Sequence, residues 1–316
     1  MAAWKRGIVA VIGAAAAVGV AGGAGAEERT AFTVRCTVAG AELTITSNGP
    51  DPRLSVRGSR IAVSQFDGGI DCKGPEPTVT TINTISISGG DNVNLDLRRG
   101  PLAPGLTDEG DGSSEIEVAV GGASTEIVLG DRPDVVTMGA LSGDRAGIDL
   151  NAGAEGAAGD ADVIFEVPKH DFASHLLRLG RGEDHAVVDG GSGFTGAWPL
   201  DGGLAGGPGS DDLDLSGAND LDGLGLLIGA GGRDRLTGSL GGDLIDGGPG
   251  PDRISAGRGG DLVATFGGGH DRADCGPGDD YLAYGKEDSF RHCEDREKYG
   301  PSGPELPPPP DPINRR

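Results

Sequence analysis

A nine-residue repeat, Gly-Gly-x-Gly-x-Asp-x-apolar-x, runs from Gly206 to Ala283 and constrains this chain more than any other feature. Its core reads Gly207-Pro208-Gly209-Ser210-Asp211, Gly248-Pro249-Gly250-Pro251-Asp252 and Gly257-Arg258-Gly259-Gly260-Asp261. It returns as Gly267-Gly268-Gly269-His270-Asp271 and Gly276-Pro277-Gly278-Asp279-Asp280. Two more copies begin with Ala230 and Ser239, carry Gly232 and Gly241, and end on Asp234 and Asp243. From Asp234 the aspartates step by nine to Asp243, Asp252 and Asp261; one inserted residue precedes Asp271, and Asp280 follows at the same step. Two residues beyond each aspartate stands an apolar side chain: Leu213, Leu236, Ile245, Ile254, Val263, Ala273 or Leu282. One apolar residue per nonapeptide can fill only a narrow axial core. Glycines allow positive φ and close approach of neighbouring loops.

Loops packed that closely turn backbone carbonyls inward, where they need a partner. An aspartate in each loop adds the hard anionic oxygen that Ca2+ prefers. Seven copies in phase match the calcium-binding nonapeptide of parallel β-helices. Over the last third of the chain the sequence resembles the hemolysin-type (RTX) calcium-binding repeat family. That resemblance implies an all-β, right-handed parallel β-solenoid, or β-roll, with two nonapeptides per coil and calcium ions between loops one coil apart. It implies two ladders, Asp234, Asp252 and Asp271 on one side and Asp243, Asp261 and Asp280 on the other, with Asp211 outside the continuous run. The expected metal set is these seven aspartates with Gly207, Gly209, Gly232, Gly241, Gly248, Gly250, Gly257, Gly259, Gly267, Gly269, Gly276 and Gly278.

Some copies depart from the pattern. Ala256, Phe266 and Cys275 replace the first glycine, and Ala230 and Ser239 the second. Arg233 and Arg258 lie inside loops, and Arg235, Arg253 and Arg272 follow aspartates, which lowers the local negative charge. Leu215 to Gly225 reads as a degenerate copy in which Asp220 keeps the step from Asp211. Calcium is expected at several loops rather than at all.

Upstream, short alternating runs separated by Gly/Asp turns continue the β pattern. They include 33–38, 41–45, 61–63, 84–88, 93–97, 115–120, 126–129, 134–138, 162–167 and 185–188. Asn48 to Pro52 and Asp67-Gly68-Gly69 read as turns. Two packed sheets of a sandwich would give a similar pattern. The organisation read from these signals is a signal peptide over 1–26, a small β cap over 27–77, irregular coils over 78–205, the repeat segment over 206–295 and a Pro-rich disordered tail over 296–316.

Lys5 and Arg6, the apolar stretch Gly7 to Ala21 and the small residues Ala24-Gly25-Ala26 form a secretory signal peptide, cleaved before Glu27. The expected location is extracellular, and no later stretch is apolar enough to span a bilayer. Four cysteines fit an oxidising compartment. Of three possible connectivities, the local pairs Cys36–Cys72 and Cys275–Cys293 are expected. In secreted bacterial members of the resembled family a disulfide seals the last coil.

The net charge of −23 excludes a basic nucleic-acid footprint. Each Gly-x-Gly precedes an aspartate where a dinucleotide phosphate would lie, which excludes that motif. His170, His175, His185, His270 and His292 show no metal-ligand spacing, and His170 and His175 read as a surface loop. Repeated carboxylates argue against one singular catalytic constellation. The favoured reading is a non-enzymatic calcium-binding protein of the envelope, matrix or adhesion, with calcium and cell-surface or matrix polysaccharide as partners. The alternative is a β-helical carbohydrate-active enzyme, of lyase or epimerase type, with its site between Asp96 and Asp201.

Overall fold

The computed structural model describes residues 33–65, 68–102, 116–121, 124–141, 145–150, 161–166, 174–188, 194, 201–218 and 225–299. The signal-peptide segment, the Pro-rich end beyond residue 299, Asp220 and His170 lie outside them, whereas the first residues of the expected disordered tail, 296–298, pair with Tyr281–Tyr284 as part of the strand Asp295–Lys298. The described residues form strands and turns without a helix, in two large, mostly parallel sheets of 13 and 12 strands.

From His185 onward the chain alternates strictly between the sheets. Sheet A takes His185–Val188, Asp212–Asp214, Arg235–Thr237, Arg253–Ser255, Arg272–Asp274 and Ser289–Arg291, each parallel to the next. Sheet B takes the strands between them, Asp201–Gly209, Gly225–Gly232, Asp243–Asp246, Leu262–Thr265, Tyr281–Tyr284 and Asp295–Lys298, in the same parallel order. Two nonapeptides therefore advance the chain by one strand in each sheet. The apolar residue after each aspartate faces the space between the sheets: Leu213, Leu236, Ile245 and Leu282 are fully buried, and Ile254, Val263 and Ala273 nearly so. These residues belong to one apolar cluster that runs from Val34 to Cys293.

The N-terminal part is less regular. Val34–Ala39 and Glu42–Ser47 form an antiparallel hairpin in sheet A, and Arg53–Arg57 and Arg60–Gln65 form another in sheet B. Gly68–Ile70 extends the second hairpin as an edge strand where a turn was expected, because its backbone pairs with Val63 to Gln65. Glu42–Ser47 then pairs in parallel with Thr84–Ser88, and Arg53–Arg57 with Asn92–Asp96, so the cap continues directly into the sheets.

The purely parallel expectation fails in the middle. Sheet A holds an antiparallel meander, Val135–Leu141, Arg145–Asp149 and Val163–Glu166, between Glu117–Gly121 and His185–Val188. Opposite it, sheet B needs only Ser174–Arg178 to connect Ser124–Val128 with Asp201–Gly209. The hairpin through Arg145 doubles back within one sheet instead of crossing to the other. His175 also departs from the surface-loop reading. It lies buried on the strand Ser174–Arg178, with its ring 4.3 Å from that of Phe165.

Both expected disulfides are present, Cys36–Cys72 and Cys275–Cys293, and the described chain has no free cysteine. They fit an oxidising compartment. Among the described residues no helix is long and apolar enough to cross a membrane.

Candidate metal centre

Each repeat aspartate sits at the corner where a loop turns into a strand, and the parallel register stacks these corners in two files. In the file beside sheet A, one carboxylate oxygen of each aspartate accepts the backbone N–H of the aspartate one coil earlier. Asp134 donates to Asp184 Oδ1 at 2.9 Å, Asp184 to Asp211 at 3.0 Å and Asp211 to Asp234 at 2.9 Å. Asp234 donates to Asp252 at 2.9 Å, Asp252 to Asp271 at 2.7 Å and Asp271 to Asp288 at 3.2 Å. Beside sheet B, Asp243 donates to Asp261 and Asp261 to Asp280, both at 2.9 Å, and Asp280 to Glu294 Oε2 at 3.2 Å. Each side chain thus ties two coils together with one oxygen.

The other oxygen separates most corners from the two at which the protein supplies its own donors. Oδ2 of Asp134, Asp184, Asp211, Asp234, Asp252 and Asp271, and of Asp261 and Asp280 in the second file, is buried without a hydrogen-bond partner. The seven aspartates of the repeat run are at most 2% exposed. A buried carboxylate oxygen without a partner is costly. At Asp288 and Asp243, one end of each file, the protein itself supplies donors. Asp288 Oδ2 receives Gly285 N–H at 2.6 Å and the Thr265 hydroxyl at 2.9 Å. Asp243 Oδ2 receives Ser239 N–H at 2.7 Å, and the Ser239 hydroxyl lies 3.1 Å from both carboxylate oxygens. Ser239, which replaces a loop glycine, therefore satisfies the carboxylate that follows it.

Burial raises the carboxyl pKa along both files. Desolvation, the largest cause in each case, lifts Asp211, Asp252, Asp261 and Asp271 to about 7, and Asp134 and Asp243 to about 6. It raises Asp184, Asp234 and Asp280 as well, and the backbone N–H bond to each carboxylate opposes the rise.

Backbone oxygens crowd the same corners. A β-carbon at Gly229 would lie 2.6 Å from both Asp234 Oδ2 and the Gly247 carbonyl oxygen, so a carboxylate and a carbonyl from successive coils border one small space. A β-carbon at Gly209 would fall on the Gly182 carbonyl oxygen, at Gly232 on that of Gly209, at Gly250 on that of Gly232 and at Gly269 on that of Gly250. No three His, Cys, Asp or Glu side chains converge on a point among the described residues. A cation here would take one or two carboxylates and draw its remaining ligands from backbone carbonyls. Such an all-oxygen donor set suits calcium, which accepts six to eight oxygens at about 2.3–2.6 Å in flexible geometry. It does not suit zinc, whose structural sites are four-coordinate and built from cysteine and histidine. The residues present fit the ion.

No family model, curated protein or solved structure matches this chain.

Of the residues singled out from sequence, Asp211, Asp234, Asp252 and Asp271 fall in one file and Asp243, Asp261 and Asp280 in the other. Asp211 is not outside the run: its amide and carboxylate bond to Asp234 and Asp184, so it stands mid-file. The loop glycines line the stacked corners, Gly207, Gly232, Gly248, Gly250, Gly257, Gly259, Gly269 and Gly276 with positive φ. Ala230 takes φ +69° where the repeat has glycine, which permits the copy at a strain cost.

Asp184 and Asp134 were missed. The signal for Asp184 was present: Gly180-Arg181-Gly182-Glu183-Asp184 is the same core, 27 residues before Asp211, with the buried Ala186 two positions on. Asp134 follows Gly130 at the same offset, but Arg132 stands at the second core glycine and hides the match.

Proposed function

We propose that this protein is a secreted calcium-binding repeat protein, a right-handed parallel β-solenoid of the hemolysin-type (RTX) repeat family, with a structural or adhesive role and no catalysis. One observation carries the reading: buried Oδ2 atoms without partners recur at successive coil corners, with the Gly247 carbonyl beside that of Asp234, and protein donors meet the carboxylates at Asp243 and Asp288 instead. A single unsatisfied carboxylate would be an anomaly. A file of them is what an acidic chain needs in order to hold cations between its coils.

Each interior corner would bind one ion with an aspartate from one or both neighbouring loops and carbonyls of the Gly-x-Gly segment. When bound, calcium neutralises the file and draws successive coils together. The aspartates hold the register through their Oδ1 bonds, and the glycines admit the close approach. Without the ion the segment would lose its reason to fold, so secretion in an unfolded state and folding on meeting extracellular calcium follow naturally. The repetition of one arrangement along the fold supports a binding role over the enzyme alternative.

Isothermal titration of the chain secreted from its own leader tests the proposal. Binding of several calcium ions per chain, at about 10⁻⁴ to 10⁻³ M as in extracellular modules, and much weaker binding of magnesium are expected. No calcium uptake at 10⁻² M or below, or a single site, would refute it.

A further inference from the structure

The residue after each loop aspartate lies on the side of its strand opposite the axial core, and the two faces of the fold use it differently. In sheet B it is Leu244, Leu262 or Tyr281, the last buried against Phe266 and Tyr299; in sheet A it is His185, Asp212, Arg235, Arg253 or Arg272. The parallel register sets Arg235 directly beside Arg253, and Arg253 beside Arg272. Three exposed arginines therefore stand in line across adjacent strands, about 4.8 Å apart. Like charges directly opposite one another are destabilising. Asp212, 3.8 Å from Arg235, offsets this at one end of the line. Asp274 is engaged by Arg291 and His292 at the other. Among the described residues Arg253 and Arg272 have no acidic side chain in ion-pair range.

A second row lies alongside. Thr237 is in register with Ser255, the pair bracketed by Asp214 and by Asp274, and Ser289 follows Arg272 in the first row. The face thus offers guanidinium forks in file, flanked by hydroxyls, on a protein whose net charge is −23. Arginine forks pair with carboxylates in a bidentate manner, and hydroxyls suit the alcohols of a sugar. Nucleic-acid platforms add aromatic side chains for stacking, and none of the outward residues in these rows is aromatic.

We propose that this outer face of sheet A binds a linear polyuronate laid across the strands, with one sugar carboxylate meeting each of Arg235, Arg253 and Arg272 and the chain's hydroxyls meeting Thr237, Ser255 and Ser289. An extended polyuronate carries one carboxylate per sugar, so acidic groups recur along it as guanidinium forks recur along the row. The proposal rests on the calcium reading only in that these strands must be folded to present the row.

The test is titration of the calcium-loaded chain with an oligogalacturonate too short to gel with calcium. Binding that weakens as salt rises is expected, with neutral dextran inert. Arg253→Ser with Arg272→Ser should weaken it by at least about tenfold. Arg35→Ser with Arg57→Ser, the same charge change on the N-terminal hairpins, should leave it within about twofold. Circular dichroism in calcium reports separately on folding. A chain that takes up calcium and folds but ignores the uronate overturns this inference alone. Equal loss in the two double variants, unchanged affinity in the first, or equally tight binding of a single-stranded DNA oligomer would also overturn it.

Discussion

Replacing Asp252 by asparagine should stabilise the calcium-free chain at high pH and shrink the stabilisation that calcium adds. Asparagine keeps a side-chain oxygen to accept Asp234 N–H, a bond of 2.9 Å, so the tie between coils survives. It removes the charge and the buried Oδ2. In the folded chain burial raises the Asp252 carboxyl to about 7 from 3.8. A carboxyl with a raised pKa binds its proton more tightly folded than unfolded. Its contribution therefore favours folding at low pH and turns into a penalty as pH climbs from about 4 through 7. Three pH units correspond to about 4 kcal/mol at most above pH 7. Asp211, Asp261 and Asp271 are raised in the same way, so the penalty recurs along both files as pH rises. Without a cation the ionised files should therefore be destabilised, and chelated protein at pH 8 should regain β structure on acidification. Asp252→Asn should refold at higher pH than the parent in chelator. In calcium the gain should shrink. At about 10 mM calcium each lost site removes about 1.4 to 2.7 kcal/mol by mass action, so calcium should stabilise the variant less than it stabilises the parent. Far-ultraviolet circular dichroism along both titrations reads the two midpoints. Midpoints that both move toward instability would mean ordinary damage to packing and would refute the reasoning.

Other outcomes follow from the same geometry. Asp211→Ala and Asp252→Ala should raise the calcium midpoint equally, since both residues stand mid-file; a much smaller effect at Asp211 would place it outside the row. Ser239→Gly frees the Asp243 carboxylate and should raise the calcium stoichiometry in isothermal titration by one ion, whereas unchanged stoichiometry would show that this corner is closed for another reason. Cys275→Ser with Cys293→Ser opens an 18-residue separation and should cost about 3 kcal/mol in the chain-entropy view, read as a lower urea midpoint in calcium.

The repeat segment was legible because one position in nine had to be apolar and one had to be aspartate, and both demands survive in the letters. Leu213, Leu236 and Ile245 are buried as their spacing required. Asp184 was passed over because it stands alone, three repeat lengths upstream, where a lone Gly-x-Gly-x-Asp carries little weight. The strand Asp201–Gly209 was illegible for another reason. Its glycines read as loop, and only the neighbouring strands Ser174–Arg178 and Gly225–Gly232 make it a strand by supplying backbone partners. The meander through Arg145 depends on a reversal within sheet A that periodicity alone cannot distinguish from a crossing. Ser239 looked like a defect in the motif, and its role as a donor to Asp243 emerges only once the loop is closed.

Crystallographic anomalous scattering at a wavelength where calcium contributes tests the central claim most directly. The account predicts peaks beside Oδ2 of Asp184, Asp211, Asp234, Asp252 and Asp271 in one file and of Asp261 and Asp280 in the other, within about 2.3–2.6 Å, and none beside Asp243. Crystals grown in calcium that show ordered coils but no anomalous density at these corners would contradict it.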